Sequence, residues 1–365
     1  MTRVFSILFI SLFLSSTLAL SQPQLSQYKI SGLPDKDMNQ IAEKYEIIAN
    51  LGKGSYEVII PYSQREDFLK LAPDAFLQEK DIHSFFNQRL AENKDYFEGY
   101  QDFTEVEALM KKWAKENPDR VELGSYGKST EGRSLWFVKI SSDLEKDDNT
   151  KPKVMINAAT HGDEIITTEV LIRLIDELLQ RSKVDGRLSD IIQNYDLYFV
   201  PVINPDGFTK RRRYAGGRDP NRDFPYPERP TRTSVACIKH LIDWVDKEKF
   251  DGTLDIHAYS RLVMYPWSYT KNPIEDATDE LDFQHLVSHM SEENQYTHGQ
   301  ISKTIYVAKG SSSDYFYWKN KSVSLAVELG RSKAPRSSQI PSYVDESREM
   351  IWRFIESFLD KEKAH

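Results

Sequence analysis

His161 and Glu164 stand three residues apart in Thr160-His161-Gly162-Asp163-Glu164, directly after the apolar run 154–159. An imidazole and a carboxylate so placed can reach one ion. They would supply two of the three protein ligands of a catalytic zinc site, whose remaining position stays open for water and substrate. The pairs His289/Glu292 and His240/Asp243 have the same or nearly the same spacing, but both fall in segments that read as exposed helix. His161 and Glu164 differ in closing a strand, and a third candidate, His257, closes another apolar strand, 254–256. A lone histidine there would more simply be a satisfied core residue; beside the first pair it reads as a third ligand.

Glu328 interrupts the apolar run Leu325-Ala326-Val327-Glu328-Leu329. An ionised carboxylate buried without partners costs several kcal/mol or takes up a proton, so this one should face a cleft. Beside a metal-activated water it could take a proton as the water attacks and pass it to a leaving amine. The plainer reading is a glutamate on an edge strand turned to solvent. The loop 204–222 carries Arg211, Arg212, Arg213 and Arg222, and guanidinium groups there suit capture of a free α-carboxylate or stabilisation of an oxyanion.

These residues need strand ends to hold them. Apolar positions 106, 109, 110 and 113 recur at helical spacing over 104–115. Strands are expected at 135–140, 154–159, 195–203, 253–256 and 323–329, with helices over 165–179 and at the C-terminus. That alternation implies an α/β fold with helices on both faces of a sheet and ligands at strand ends. Upstream, strands near 28–31, 56–61 and 75–78 alternate with helices at 38–49 and 65–71, a small α/β unit without a cluster of histidines or cysteines. Residues 87–98 read as a polar linker in which Arg89 and Lys94 are open to trypsin-like cleavage.

Arg3, an apolar run over 4–14 and small residues through Ala19 read as a secretory signal peptide, placed at 1–21, so the protein is expected outside the cytoplasm, extracellular or periplasmic. The run is too short to span a bilayer, and no membrane partner is expected. Cys237 is the only cysteine, which rules out a disulfide within the chain. The net charge of −8 argues against a nucleic-acid partner.

Taken together, these residues resemble the zinc carboxypeptidases of the M14 family. The likeness runs from about residue 99 to the end through His161-x-x-Glu164, Asn204-Pro205-Asp206-Gly207-Phe208, Asp219-x-Asn221-Arg222, His257-Ala258-Tyr259-Ser260, Tyr265-Pro266, Tyr306 and Glu328, in the family's order. The resemblance implies a mixed central β-sheet with helices on both faces over 99–365. Before it, residues 22–86 would form an open-sandwich prosegment that covers the active site until a trypsin-like protease cuts the linker 87–98. It implies one Zn2+ held by His161, Glu164 and His257, with Asp219 orienting His161 and Glu328 as general base. Asn221 and Arg222 would hold the terminal carboxylate, Tyr306 would close over it, and Arg213 would stabilise the oxyanion, with Arg212 beside it as the other choice. Substrates would be peptide and protein C-termini.

Tyr259 is a further expected substrate contact. The positions matching the family's pocket for the terminal side chain are Met264, Ser268, Ile301, Ile305, Ala308, Ser311, Ser312, Ser313 and Ala326, none charged, which implies a preference for neutral terminal residues, apolar or small. Lys309 and Arg261 neighbour this set in sequence and could alter it. Asp163 stands where digestive members carry arginine, while Glu328-Leu329-Gly330-x-x-Lys333-x-Pro335 is similar to the hormone-processing branch. Two alternatives remain: a peptidoglycan stem-peptide carboxypeptidase, and a zinc-bound but inactive binding module.

Overall fold

The computed structural model describes residues 24–52, 54–91, 99–144, 151–231 and 233–359. The expected signal peptide, and residues 92–98 of the expected linker with Lys94, lie outside the described residues. The N-terminal unit is a four-stranded sheet ordered β2-β3-β1-β4, from β1 (Leu25–Ser31), β2 (Glu46–Gly52), β3 (Ser55–Pro61) and β4 (Phe76–Glu79). Alternate residues Tyr28 and Ile30 of β1 and Val58 and Ile60 of β3 point to one face, where they meet Ile41 and Phe68 of the helices Asp35–Lys44 and Arg65–Leu71.

The first of those helices is shorter than the sequence suggested. Residues expected to continue it to 49 instead belong to β2, where Ile47 lies opposite Val58. Branching at Cβ favours the pleated conformation, and the cross-strand pairing overrides the helical spacing. The expected linker also begins too early, because the helix Ile82–Ala91 runs past residue 87. Its apolar side, Ile82, Phe85 and Phe86, packs into the core of the larger domain. Arg89 is accordingly not an open cleavage site: it is half-buried, donates from Nε to the Ala334 carbonyl at 3.3 Å and lies over the Phe85 ring.

The larger domain is built on a mixed sheet ordered β11-β10-β12-β9-β7-β8-β6-β5. Its strands are β5 (Val121–Lys128), β6 (Ser134–Ile140), β7 (Lys153–Ala158), β8 (Asp196–Val200), β9 (Gly252–Ala258), β10 (Leu262–Tyr265), β11 (Thr297–Gln300) and β12 (Val323–Leu329). β8, β7, β9 and β12 form a parallel centre, flanked by antiparallel β6 and β10. Val154 and Ile156 face the helices Ile165–Arg181 and Ile340–Glu356, whereas Met155 faces Ala236–Glu248 and Ser312–Asn320. Burial on both faces explains why the central strands read as continuous apolar runs.

Candidate functional site

β7 and β9 end at the same edge of the sheet, with Ala158 opposite Ile256, and β12 places Glu328 opposite His257. Ligand crevices of open α/β sheets lie at such carboxyl ends. The turn after β7 carries His161 and Glu164 and packs hard against the loop from Asn204. A Cβ on Gly162 would stand 2.1 Å from the Gly207 carbonyl carbon, so only glycine lets these segments meet. On the facing loop the Asn204 side chain caps the short helix Pro205–Lys210 and donates from Nδ2 to the Arg213 carbonyl at 3.3 Å, which fixes where the arginines fall.

His161 Nδ1 lies 2.9 Å from Glu164 Oε1 and 3.2 Å from His257 Nδ1, and His257 Nδ1 lies 3.1 Å from Glu164 Oε2. The opposite ring nitrogens face carboxylates: His161 Nε2 is 3.0 Å from Asp219 Oδ1, and His257 Nε2 is 3.1 Å from Asp255 Oδ2. Donation of Nε2–H to those carboxylates leaves both Nδ1 lone pairs aimed at one point. Two bare nitrogens and a carboxylate this close repel unless a cation or a proton sits among them. Ligand atoms about 2.0–2.1 Å from a tetrahedral zinc would be about 3.3 Å from one another, close to the separations found here. The three residues are buried and could hold a metal ion.

The charges agree with that reading. Burial pushes Glu164 up, but His161 and His257 outweigh it and hold its carboxyl well below the usual range. Burial pushes His257 down, yet Asp255 and Glu164 hold it well above the ordinary histidine value. Asp219 resists burial because Arg213 and His161 keep it well below the carboxylate range. Glu328 goes the other way, since burial and the neighbouring Glu164 charge push it up to about 8. It lies on an inner strand, between β10 and β9, and lines the cleft, so the edge-strand alternative does not hold.

Arg213 grips Asp219 Oδ2 with Nε at 3.0 Å and Nη2 at 2.9 Å, and its Nη1 reaches toward Glu164 Oε1 at 3.5 Å. Arg213, not Arg212, lines the cleft. Asn221 accepts from the Ser312 amide at 2.9 Å and turns its Nδ2 toward His257 Nε2, 3.2 Å away. Arg222 donates to the Tyr306 hydroxyl at 2.9 Å. Tyr259, Met264, Ser268, Ile301, Ile305, Ala308, Ser311, Ser313 and Ala326 line the same cleft. Ser312 does not, because its hydroxyl donates to Asp255 Oδ2 at 2.7 Å. Lys309 pairs with Glu228 at 2.7 Å and Arg261 donates to the Asn294 carbonyl at 2.9 Å, so neither enters the pocket. His289 and Glu292 form an exposed pair 3.2 Å apart, away from this site.

Sequence reading missed Asp255, Lys333 and Asp314. Asp255 could have been found, since it precedes His257 by two on the same strand and must share its face. Lys333 Nζ lies 2.6 Å from Asp163 Oδ2 and 3.9 Å from Glu164 Oε1, both within the buried turn. Asp314 is wholly buried beneath Ser268.

Residues 106–350 match the profile of the zinc carboxypeptidase family. Carboxypeptidase D of Mus musculus is 25% identical over 295 residues, which cover 70% of this chain and 21% of that protein, so the chain spans about a fifth of that relative's length. A metallocarboxypeptidase A-like protein of Trichophyton verrucosum is 24% identical over 434 residues, covering 98% of this chain and 100% of its own. The crystal structure of carboxypeptidase A from Helicoverpa armigera superposes with a TM-score of 0.77 at 20% identity, over 92% of this chain and 97% of that one, which shows a shared fold.

Proposed function

The chain belongs to the zinc carboxypeptidase (M14) family, and from that premise we propose that it is a secreted metallocarboxypeptidase that removes the last residue of peptides and proteins. The observation that carries this reading is the convergence of His161, Glu164 and His257 with Glu328, Arg213, Asn221, Arg222 and Tyr306 around one cleft. Zinc suits a donor set of two imidazole nitrogens and one carboxylate. Bound there, it would supply Lewis acidity toward the scissile carbonyl and make a water acidic enough to lose a proton near neutral pH.

The remaining chemistry falls to side chains. Glu328 accepts the proton of the attacking water and later delivers it to the leaving nitrogen. Arg213 meets the negative charge that develops on the carbonyl oxygen, and its bidentate hold on Asp219 keeps it in place beforehand. The Asn221 amide and the Arg222 guanidinium hold the terminal carboxylate, with Tyr306 closing over it. Apolar walls at Met264, Ile301, Ile305, Ala308 and Ala326 favour a neutral terminal side chain.

Residues 22–86 would act as a prosegment. The N-terminal unit meets the rim of the cleft, where its Glu57, Phe85 and Phe86 share a cavity of about 220 Å³ with Tyr259, Asp163 and Lys333. Cleavage by a trypsin-like protease within 92–98 would let the unit leave that rim.

The reading is tested by release of free amino acid from N-blocked dipeptides, with the full-length protein before and after limited trypsin treatment. Chelator-sensitive release that rises after clipping is the expected result. No release from any blocked peptide contradicts the activity, and equal rates before and after clipping contradict the prosegment role.

A further inference from the structure

Two of the cleft-lining residues, Ser268 and Ser311, have hydroxyls whose protons are committed within the protein. Ser268 Oγ lies 2.6 Å from Asp314 Oδ2 and 2.6 Å from Ser311 Oγ. Asp314 also accepts the Ser268 amide on Oδ1 at 2.7 Å and the Tyr269 amide on Oδ2 at 2.9 Å. A carboxylate receiving these donors has no proton of its own to give, so the Ser268 hydroxyl must donate to it. Ser268 Oγ can then only accept from Ser311, which commits the Ser311 proton in turn. Ser311 Oγ takes one further, longer bond, from the Asp314 amide at 3.3 Å.

What Ser268 and Ser311 can still offer the cleft they line is lone pairs. We propose that Asp314, acting through Ser268 and Ser311, makes this pair of hydroxyls an acceptor-only patch in the wall of the terminal-residue pocket, selecting neutral C-terminal side chains that carry a hydrogen-bond donor over isosteres that lack one. The inference rests on the cleft receiving a C-terminal residue, as proposed above. Asp314 is here a positioning residue, wholly buried and not part of the pocket lining, whereas the two serines line the cleft.

Two considerations separate this from a pocket for lysine or arginine. Asp314 is screened behind Ser268, both of its oxygens are engaged, and the positive Arg222 lies near enough to lower its pKa. A substrate ammonium reaching Ser268 and Ser311 would meet only neutral hydroxyl oxygens there, too little to offset burial of a charge. A neutral donor loses far less on entering. Without one, the lone pairs stay unpaired, and sites built to bond a substrate hydroxyl or amide discriminate strongly against its absence. Burial lifts Asp314 to about 6, so it is a carboxylate at the alkaline side of neutrality.

The test uses full-length zinc-loaded protein after limited trypsin treatment, at about pH 8. N-blocked dipeptides ending in Tyr or Phe and in Gln or Met form near-isosteric pairs, with Lys as a charged comparison. The expected kcat/KM is about tenfold higher for Tyr over Phe, for Gln over Met, or for both, and lower for Lys than for Gln. Ser268→Ala and, independently, Ser311→Ala should bring the donor-to-isostere ratio toward one. A merely structural loss would instead lower both members of a pair together. Ratios at or below one for both pairs, a ratio untouched in both variants, or faster release of Lys would overturn the inference. Equilibrium binding of N-acetyl-Tyr against N-acetyl-Phe reads the same pocket without hydrolysis. Preferential binding of the tyrosine derivative in a protein that cleaves nothing would support the pocket and contradict the proposed activity. Equal binding would overturn the inference.

Discussion

Asp219 Oδ1 stands 3.0 Å from His161 Nε2, while the opposite nitrogen of the same ring, Nδ1, stands 2.9 Å from Glu164 Oε1. One carboxylate thus fixes the tautomer and the aim of the imidazole, and the same Asp219 holds Arg213 through its other oxygen. In the proposed reaction, Asp219 would couple metal binding to oxyanion stabilisation without touching either the metal or the substrate.

Asp219→Ala should therefore weaken zinc binding by about 10–100-fold. Competition with a chromophoric chelator measures this directly. The activity of the fully zinc-loaded variant should also fall, because Arg213 loses its anchor. Unchanged zinc affinity would contradict the orienting role.

Metal loading should expel protons. In the metal-free protein Glu328 is pushed up to about 8 and His257 is held well above its ordinary value, so both carry protons at neutral pH. A cation among His161, Glu164 and His257 reverses both preferences. Calorimetric titrations with zinc at neutral pH, in buffers of different ionisation enthalpy, should show net proton release and an affinity that rises with pH. Proton-neutral binding would contradict this reading of the site.

Stability should also record a buried acid outside the site. Glu169 is wholly buried, accepts the Gln101 amide and faces Arg173 at 3.3 Å, yet burial raises it to about 7. A raised folded-state value means that the folded chain holds the proton more tightly than the unfolded chain. Its contribution is full below the ordinary glutamate value and is lost as pH rises through about 7, up to about 3 kcal/mol. Asp314 and Glu328 shift in the same direction, so the informative quantity is the difference between wild type and Glu169→Gln. That difference should change sharply between about pH 5 and pH 8 in urea unfolding, and a pH-independent difference would refute it.

The Lys333–Asp163 pair ties segment 330–335 to the ligand turn, since the Lys333 carbonyl also accepts the Ile166 amide at 3.0 Å. Lys333→Met or Asp163→Asn alone leaves a buried partner exposed to loss of its counter-charge and should cost about 3–5 kcal/mol. The double variant should cost clearly less than the two added together, as measured by unfolding of the metal-free protein. Strict additivity would mean that the pair is not coupled.

What the sequence revealed about this site follows from its geometry. His161, Glu164, His257 and Glu328 sit at or near the ends of apolar strands, so local alternation and a polar residue out of place were enough to single them out. Asp314 lies inside a short helix and Lys333 bonds a residue 170 positions away, and no local pattern encodes such contacts. The same limit explains the fold. The long apolar runs at β7 and β12 were visible, whereas β10 and β11, four residues each, exist only through their neighbours in the sheet. The expected helix over 38–49 failed where strand pairing claimed Ile47.

The proposed division of labour gives Glu328 the proton and His161, Glu164 and His257 the metal. It is tested by comparing zinc content and terminal-residue release from an N-blocked dipeptide in trypsin-clipped wild type and Glu328→Gln. The expected result is one zinc per chain in both, with release lost by at least about a hundredfold in the variant. Zinc-loaded Glu328→Gln that cleaves at close to the wild-type rate would contradict it.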